Sequence, residues 1–361
     1  MIGKAVRFLP EILGVQLRYG LLQPVMRTPL LPRAMHYIST HACNARCVMC
    51  GIWKAGSSRN EQLSVSELRS IVRDRLFSRL EYLGISGGEP FLRADLLELV
   101  QAFLEGCPRL KRVSVTTNGL PTSRIESVLE PLVQACRASS AFLDISVSVH
   151  AVGDLAERIY GVKGAFGKAQ ETLRLLQGFR REGKLTFSIN SVLLADTLAE
   201  APKLLEWAES EAIPVSFVVG EQRERFMNDD LTKAFIPPDR KQELTDFVKA
   251  ALARNARSAA GLKYRAILDF LEGRPRAVSC YYALSGLLLG YDGTLYYCSH
   301  SRAVGNCRDR SAAEIFYDPE NLDYRRRELL RATCPQCPPY TTTRLEQEKD
   351  IFKLLRFLWF R

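Results

Sequence analysis

No uninterrupted apolar run in this chain of 361 residues approaches the ~20 residues of a membrane-spanning helix. No repeat or low-complexity tract stands out either, which excludes a repeat array and, with 47% hydrophobic content, a disordered chain. The ten cysteines lack the dense spacing of a disulfide mini-protein, and no cleavable signal precedes them. Prolines and charges interrupt "MIGKAVRFLPEILGVQLRYGLLQPVMRTPLLPRA" before a signal core can form. Together these absences favour reduced thiols or metal ligands in a cytoplasmic setting. Lys4, Arg7, Arg18, Arg27 and Arg33 space out that first stretch, which reads as short helices packed on the domain, with peripheral contact at a membrane surface as the alternative. The net charge of +10 admits an anionic substrate, a phosphorylated lipid surface or nucleic acid. The basic residues are dispersed, so a solvated surface is favoured and no nucleic-acid groove is expected.

What the chain does have is an alternation of short β-rich runs with longer helical patterns, the signature of parallel βαβ units. Strands are expected near 35–40, 81–86, 111–117, 142–149, 185–193 and 213–219. Between them lie amphipathic segments such as 64–77, opening with Ser64 and Glu67 as a capping box, and 164–182, with Leu173, Leu175 and Leu176 facing inward. The fold class is α/β, a partial (β/α)6 TIM-like barrel with a small C-terminal cysteine-rich module. The expected domains are an amphipathic extension over 1–34, the barrel over 35–256, the module over 257–340 and a basic helix over 341–361, including "DIFKLLRFLWFR".

Three cysteines, Cys43, Cys47 and Cys50, crowd into "HACNARCVMCGIW" just after the first strand. Three thiolates so spaced can wrap one corner of a cubane, whereas a fully ligated iron-sulfur site needs one cysteine more, so one iron is left open. Structural zinc competes, but it wants two pairs of ligands and no second pair sits nearby; His41 could complete such a site. At the end of the second strand, "ISGGEPFLR" offers unobstructed backbone at Gly87 and Gly88, with Glu89 and Pro90 fixing the bend.

Taken together, CxxxCxxC on the first loop and GGEP on the second resemble the radical S-adenosylmethionine (SAM) superfamily, over roughly 35–225. The pattern continues in "TTNG" at 116–119, in "SVSVH" at 146–150 and in Asn190. Two departures stand out: Met49 replaces an aromatic that many members carry, and Ser148 with His150 replaces a Ser-x-Asp pair that often contacts ribose. The resemblance implies that the open iron of a 4Fe-4S cluster chelates SAM. Gly87, Gly88 and Glu89 would hold its amino group, Asn118, Ser148 and Asn190 would steady the rest, and the adenine would lie near Met49 and Ile52. Electron transfer into the sulfonium would release methionine and a 5′-deoxyadenosyl radical that abstracts hydrogen from an unactivated C–H bond. Ser148, His150 and Asn190 also read as ordinary strand-end polar residues, and His150 as a residue approaching substrate.

A second set follows. Cys280, Gly293 and Cys298 in C-x12-G-x4-C, then Cys334 and Cys337 in "CPQC", resemble the Twitch module, the shortened relative of the SPASM domain, which holds one auxiliary 4Fe-4S cluster. The Asp292-Gly293 turn is expected to bring Cys280 and Cys298 onto neighbouring strands. Zinc held by the same four cysteines is the alternative. Cys107 and Cys136 read as small buried thiols. Cys307 reads as a buried thiol, a substitute ligand or, by resemblance to epimerising members, a catalytic donor of hydrogen to the substrate radical.

The leading expectation is therefore a radical SAM oxidoreductase or epimerase acting at a carbinol or similar carbon of a sugar-like or natural-product small molecule, reduced by a protein such as flavodoxin or ferredoxin. Modification of a ribosomal peptide is the runner-up, weakened by an N-terminal stretch too short for a leader-recognition domain. Action on a lipid or lipid-linked sugar, and a non-catalytic scaffold with structural clusters, complete the set.

Overall fold

In a computed structural model, Leu17 and residues 28–55, 61–256, 258–274 and 280–338 are described. The tail helix expected over 341–361, and the extension expected over 1–34 apart from Leu17 and residues 28–34, lie outside the described residues. No helix among the described residues is long and apolar enough to cross a membrane.

The described residues divide into two compact units, one of Pro32–Pro238 with Leu287–Phe316, the other built on Asp239–Gly286 with residues 317–338. In the first, β1 (Ala34–Thr40), β2 (Tyr82–Gly87), β3 (Arg112–Thr117), β4 (Phe142–Ser148), β5 (Thr186–Leu193) and β6 (Val215–Val219) form a parallel succession in chain order, as the alternation predicts. The sheet continues beyond β1 into β7 (Gly286–Leu289), β8 (Thr294–Tyr296) and β9 (Ala303–Asn306), with β7–β8 and β8–β9 antiparallel. Much of the region assigned from sequence to a separate module thus extends the barrel sheet itself.

Helices α1 (Val65–Val72), α2 (Leu96–Gly106), α3 (Thr122–Ala138), α4 (Gly153–Tyr160), α5 (Ala165–Arg181) and α6 (Ala201–Ser210) alternate with these strands. The capping box forms: Ser64 Oγ accepts from Glu67 N at 3.2 Å, and Glu67 Oε2 accepts from Ser64 N at 2.8 Å. The helix expected to reach residue 77 stops at Val72, because Asp74 accepts from Leu76 N and opens a separate 3-10 turn, Arg75–Phe77. In α5, Leu173 and Leu176 are buried, but Leu175 is only half-buried. Two helical steps rotate it about 200° away from Leu173, so the three leucines cannot share one face.

The six parallel strands bury two different faces. Leu83, Ile85, Val113, Val115, Leu143, Ile145, Val147, Phe187 and Ile189 are buried against the helical layer, where Tyr37 of β1 meets Phe103 of α2 with ring centroids 5.5 Å apart. The alternate row is half-buried and polar: Ser86, Ser114, Thr116, Asp144, Ser146, Ser148, Ser188, Asn190 and Ser216. Strands of closed parallel barrels usually carry apolar side chains on both faces. Here the inward row is small and hydrogen-bonding.

In the second unit, α7 (Lys241–Arg254) packs along α8 (Ala259–Leu271). Asp269 of α8 is buried and takes Arg265 and Arg274, each at 3.0 Å. Helix α9 (Tyr281–Leu284) follows Cys280, and Arg325 donates to Ala283 O at 2.7 Å.

Replacing Ser64 with alanine removes the α1 cap and is expected to cost about 1 kcal/mol of stability. The readout is a lower denaturant midpoint with an unchanged m value.

Candidate active site at the first cysteine loop

The first cysteine loop is fastened on three sides. At the mouth of β2, Gly88 N donates to Thr40 O at 2.7 Å and Glu89 N to Ala42 O at 2.8 Å. The two turns are so close that a Cβ on Gly87, at φ +137°, would lie 2.2 Å from Thr40 O, and one on Gly88 would lie 2.2 Å from Ala42 O. Only glycine permits this approach. On the second side, Arg46 N donates to Tyr160 O at 2.8 Å and Val48 N to Ile159 O at 3.0 Å, at the end of α4. On the third, Gly51 N donates to Phe226 O at 2.8 Å, and Asn228 Nδ2 to Met49 O at 2.8 Å.

Glu89 is fully buried. Its Oε1 accepts from Phe91 N at 3.1 Å and Thr117 Oγ1 at 2.9 Å, and its Oε2 from Asn118 N at 2.7 Å. Burial pushes this carboxyl up to about 7 against those three donors. Its side chain therefore locks the β2 turn to the β3 loop, and what the GGE turn offers a ligand is chiefly backbone. Asn118 continues the lock: its Nδ2 donates to Asn44 Oδ1 at 2.8 Å and lies 3.7 Å from Cys43 Sγ, while its Oδ1 accepts from Leu120 N at 2.9 Å. Hydrogen bonding to a cluster sulfur is one of the ways a protein tunes such a centre.

The thiols of Cys43, Cys47 and Cys50 are pushed up first by burial, and Cys47 also by the other two. Neighbouring thiolates in a dry loop need positive charge to stay ionised, and soft sulfur donors suit iron-sulfur chemistry. Among the described residues no three His, Cys, Asp or Glu are gathered to hold a single metal ion. A cubane spreads its thiolates over separate irons and does not require such a group. His41, considered as a zinc ligand, rests against the Tyr291 ring, with centroids 4.1 Å apart.

Ser148 and Asn190 face each other across β4 and β5 on the polar inward row. His150 serves the backbone: its Nδ1 accepts from Val192 N at 3.1 Å, and burial pushes the ring down to about 4. Ile52 is buried in a 3-10 turn, Ile52–Ala55, that follows the cysteine loop. Asn44, Asn228 and, apart from Ser148, the inward serines carry no sequence-based assignment. The serines were recoverable from the period-2 polarity of β3 to β5, whereas Asn228 acts on Met49 across 179 positions and leaves no local signal.

Cys107 and Cys136 are buried, as expected of small core thiols. Cys280 caps α9, and Cys298 lies just beyond the end of β8, so neither is on a strand; the turn containing Gly293 joins β7 and β8 as expected, but their pairing begins at Leu288. Cys334 opens a one-turn helix, Cys334–Gln336, and Cys337 follows it. Cys307 follows β9, its N–H donating to Gly293 O at 2.8 Å. Burial pushes its thiol up to about 12, and the charge that bears on it is Asp74, beyond α1.

Substituting Gly88 with alanine drives a Cβ into Ala42, so iron and sulfide loading should fall sharply. Gly167→Ala in α5, where a Cβ meets nothing within 4 Å, should load normally and gain roughly 0.5–1 kcal/mol of stability. Neutral His150 predicts a pH effect of definite sign. The unfolded ring binds a proton near its ordinary value while the folded ring resists until about 4, so its contribution is complete above about 6.5 and is lost as pH falls toward 4. His150→Asn keeps an acceptor for Val192 N, and its stability relative to wild type should rise by on the order of 1–3 kcal/mol between pH 7 and 4.5. A difference independent of pH contradicts the neutral ring.

Residues 37–208 match the family model described as the Radical SAM superfamily, and residues 280–338 the SPASM model, described as an iron-sulfur cluster-binding domain. The GTP 3′,8-cyclase of Actinobacillus pleuropneumoniae is 31% identical over 182 residues, 50% of this chain and 50% of that protein; the chain spans about half the length of the first curated relatives it matches. The PqqA peptide cyclase of Rhizobium meliloti is 24% identical over 328 residues, 85% of this chain and 80% of that protein. Among solved structures, Streptococcus suis SuiB bound to S-adenosylmethionine aligns with TM-score 0.60 at 15% identity, over 91% of this chain and 80% of that one, a likeness of fold. The cofactors are accordingly a 4Fe-4S cluster with SAM and an auxiliary iron-sulfur centre. The chain thus carries a radical SAM domain over residues 37–208 and a SPASM-type iron-sulfur module over residues 280–338.

Proposed function

We propose that this enzyme abstracts hydrogen from a C–H bond of a hydroxyl-bearing small molecule, sugar-like in character, held among the inward polar rows of the barrel. The observation that carries this reading is the alternation of β2 to β6, which puts Ser86, Ser114, Thr116, Ser146, Ser148, Ser188, Asn190 and Ser216 on one half-buried face. Short hydroxyls and an amide can exchange hydrogen bonds with a polyol while leaving room for it.

When bound, the cluster at Cys43, Cys47 and Cys50 together with SAM supplies a 5′-deoxyadenosyl radical. The chain's own residues position and protect. The backbone of Gly87 and Gly88 offers groups to the amino acid end of SAM, Ser148 and Asn190 to its ribose, and Met49 and Ile52 flank the adenine. Glu89 and Asn118 hold these loops in register. Cys280, Cys298, Cys334 and Cys337 are the ligands we assign to the auxiliary centre, on their sequence pattern and the matching module. Such thiolate ligands suit a reducing, cytoplasmic compartment and a flavodoxin- or ferredoxin-like donor. Cys307 keeps its proton, as a hydrogen donor to a substrate radical must, and epimerisation is the finer form of the proposal.

A second reading, modification of a peptide, draws support from the near full-length match to the PqqA peptide cyclase and from SuiB, whose structure is also known bound to its precursor peptide SuiA.

Anaerobic reconstitution should load about two cubanes per chain. Deuterated candidate polyols and peptides are then screened for transfer into 5′-deoxyadenosine. Label from a polyol supports the leading reading, label from a peptide alone replaces it with the second, and a colourless protein that never cleaves SAM removes both. With a polyol substrate found, Cys307→Ala should cleave SAM but fail to invert the carbon; unchanged product excludes the thiol as donor.

A further inference from the structure

Between the end of β6 and Asn228 the chain forms a hook against the first cysteine loop. Asn228 is 1% exposed and holds it at both ends, accepting from Arg223 N at 2.7 Å and donating to Met49 O at 2.8 Å and Glu221 O at 3.2 Å. Met227 takes a left-handed φ of +49°, and its carbonyl occupies the place a Cβ on Gly51 would need, 1.9 Å away. A non-glycine residue keeps that conformation only where its surroundings enforce it. The hook is therefore a fixed part of the wall one residue from Cys50.

It carries two guanidiniums with different fates. Arg223 pairs with Glu221, whose Oε1 also lies 3.4 Å from His300 Nε2. Arg225 lies over the Phe226 ring, 5.2 Å from its centroid, and its buried Nε and Nη1 meet no hydrogen-bond acceptor among the described residues. Its charge bears on His36 in β1, on His41 just after β1 and on Tyr296 in β8, which puts it near the β1 part of the sheet, where His36 Nε2 meets Ser86 Oγ of the polar row. Of the carboxylates in this neighbourhood, Glu221 pairs with Arg223 and also feels the Arg225 charge without bonding its Nε or Nη1, and Asp292 takes Thr294 N and Oγ1 at 3.1 and 2.8 Å. Buried guanidinium N–H donors left open are costly unless an acceptor arrives, and the planar fork of this half-buried arginine suits an oxyanion.

We propose that Arg225 anchors the substrate of this enzyme by gripping an oxyanion group, a carboxylate or a phosphate, and so sets which C–H bond faces the radical source. This rests on the radical reading above, and it narrows the substrate from a neutral polyol to an acidic or phosphorylated one.

Inorganic phosphate and succinate serve as probes, titrated calorimetrically into the anaerobically reconstituted full chain. Wild type should bind one of them, phosphate marking a phosphorylated substrate and succinate a carboxylate one. Arg225→Gln should weaken that binding about ten-fold or more, the scale of a charge-assisted pair. Lys203→Gln, which removes the same charge from an exposed pair with Glu200, should leave it unchanged. Binding of neither probe overturns the proposal, as does equal weakening in both variants. If Arg225→Gln does not load iron, Arg225→Lys decides, since it keeps the charge without the fork: it must bind more weakly than wild type, and equal binding overturns the assignment. SAM cleavage by wild type, measured on the same sample, tests the radical reading separately; its absence together with Arg225-dependent anion binding leaves an anion site without radical chemistry.

Discussion

The close approach of the β2 turn to the end of β1 is the constraint on which the site depends. Three cysteines within eight residues could adopt many shapes in an isolated loop. Here Gly87 and Gly88 admit the carbonyls of Thr40 and Ala42 to a distance that any side chain would forbid, and the backbone bonds at 2.7 and 2.8 Å follow from that proximity. The remaining clamps, at the end of α4 and at the hook of Phe226 and Asn228, act on a loop whose root is already fixed. A cluster bound by three residues from one loop gains no rigidity from a second segment, so the surrounding backbone has to provide it.

Glu89 shows how the same contact is made one-sided. A buried carboxyl is costly in its charged form, and burial accordingly raises it to about 7, yet three donors converge on it from two different turns. The arrangement ties β2 to β3 more specifically than an apolar contact would, because a shift of either turn leaves a buried charge or a buried N–H unmatched. From Asn118 the tie passes to Asn44 and to the sulfur of Cys43, joining strand register to the electrostatics of the cysteine loop.

The strands were legible because each repeats an apolar residue every second position and ends in a polar or glycine turn, and all six fall within a few residues of their sequence-based limits. The α1 cap was legible because its chemistry is local. Asp74 ended α1 early by an equally local bond, which the apolar periodicity of Leu76 and Phe77 concealed. The roles of Glu89 and His150 were harder: the residue types announce function, but their actual partners are backbone groups, and nothing in the local sequence distinguishes a carboxylate offered to a ligand from one consumed by the fold. Arg225 and Asn228 escaped altogether, since their meaning depends on a segment far away in the chain lying against the cysteine loop.

The polarity of the inward row has a consequence for stability. A barrel filled by Val, Ile and Leu draws on both faces of its sheet, whereas this one must rely on the helix-facing layer, since its serines contribute little apolar burial. Truncating Val115 or Ile145 therefore removes part of the principal apolar layer of the sheet, while truncating the adjacent Ser114 or Ser146 on the other face removes only a hydroxyl and, for Ser114, its bond to Asp144. A change in the hydrogen-bonding pattern of the inner face therefore costs the fold less than a change in the helix-facing layer, and it leaves the clamps around Cys43, Cys47 and Cys50 untouched.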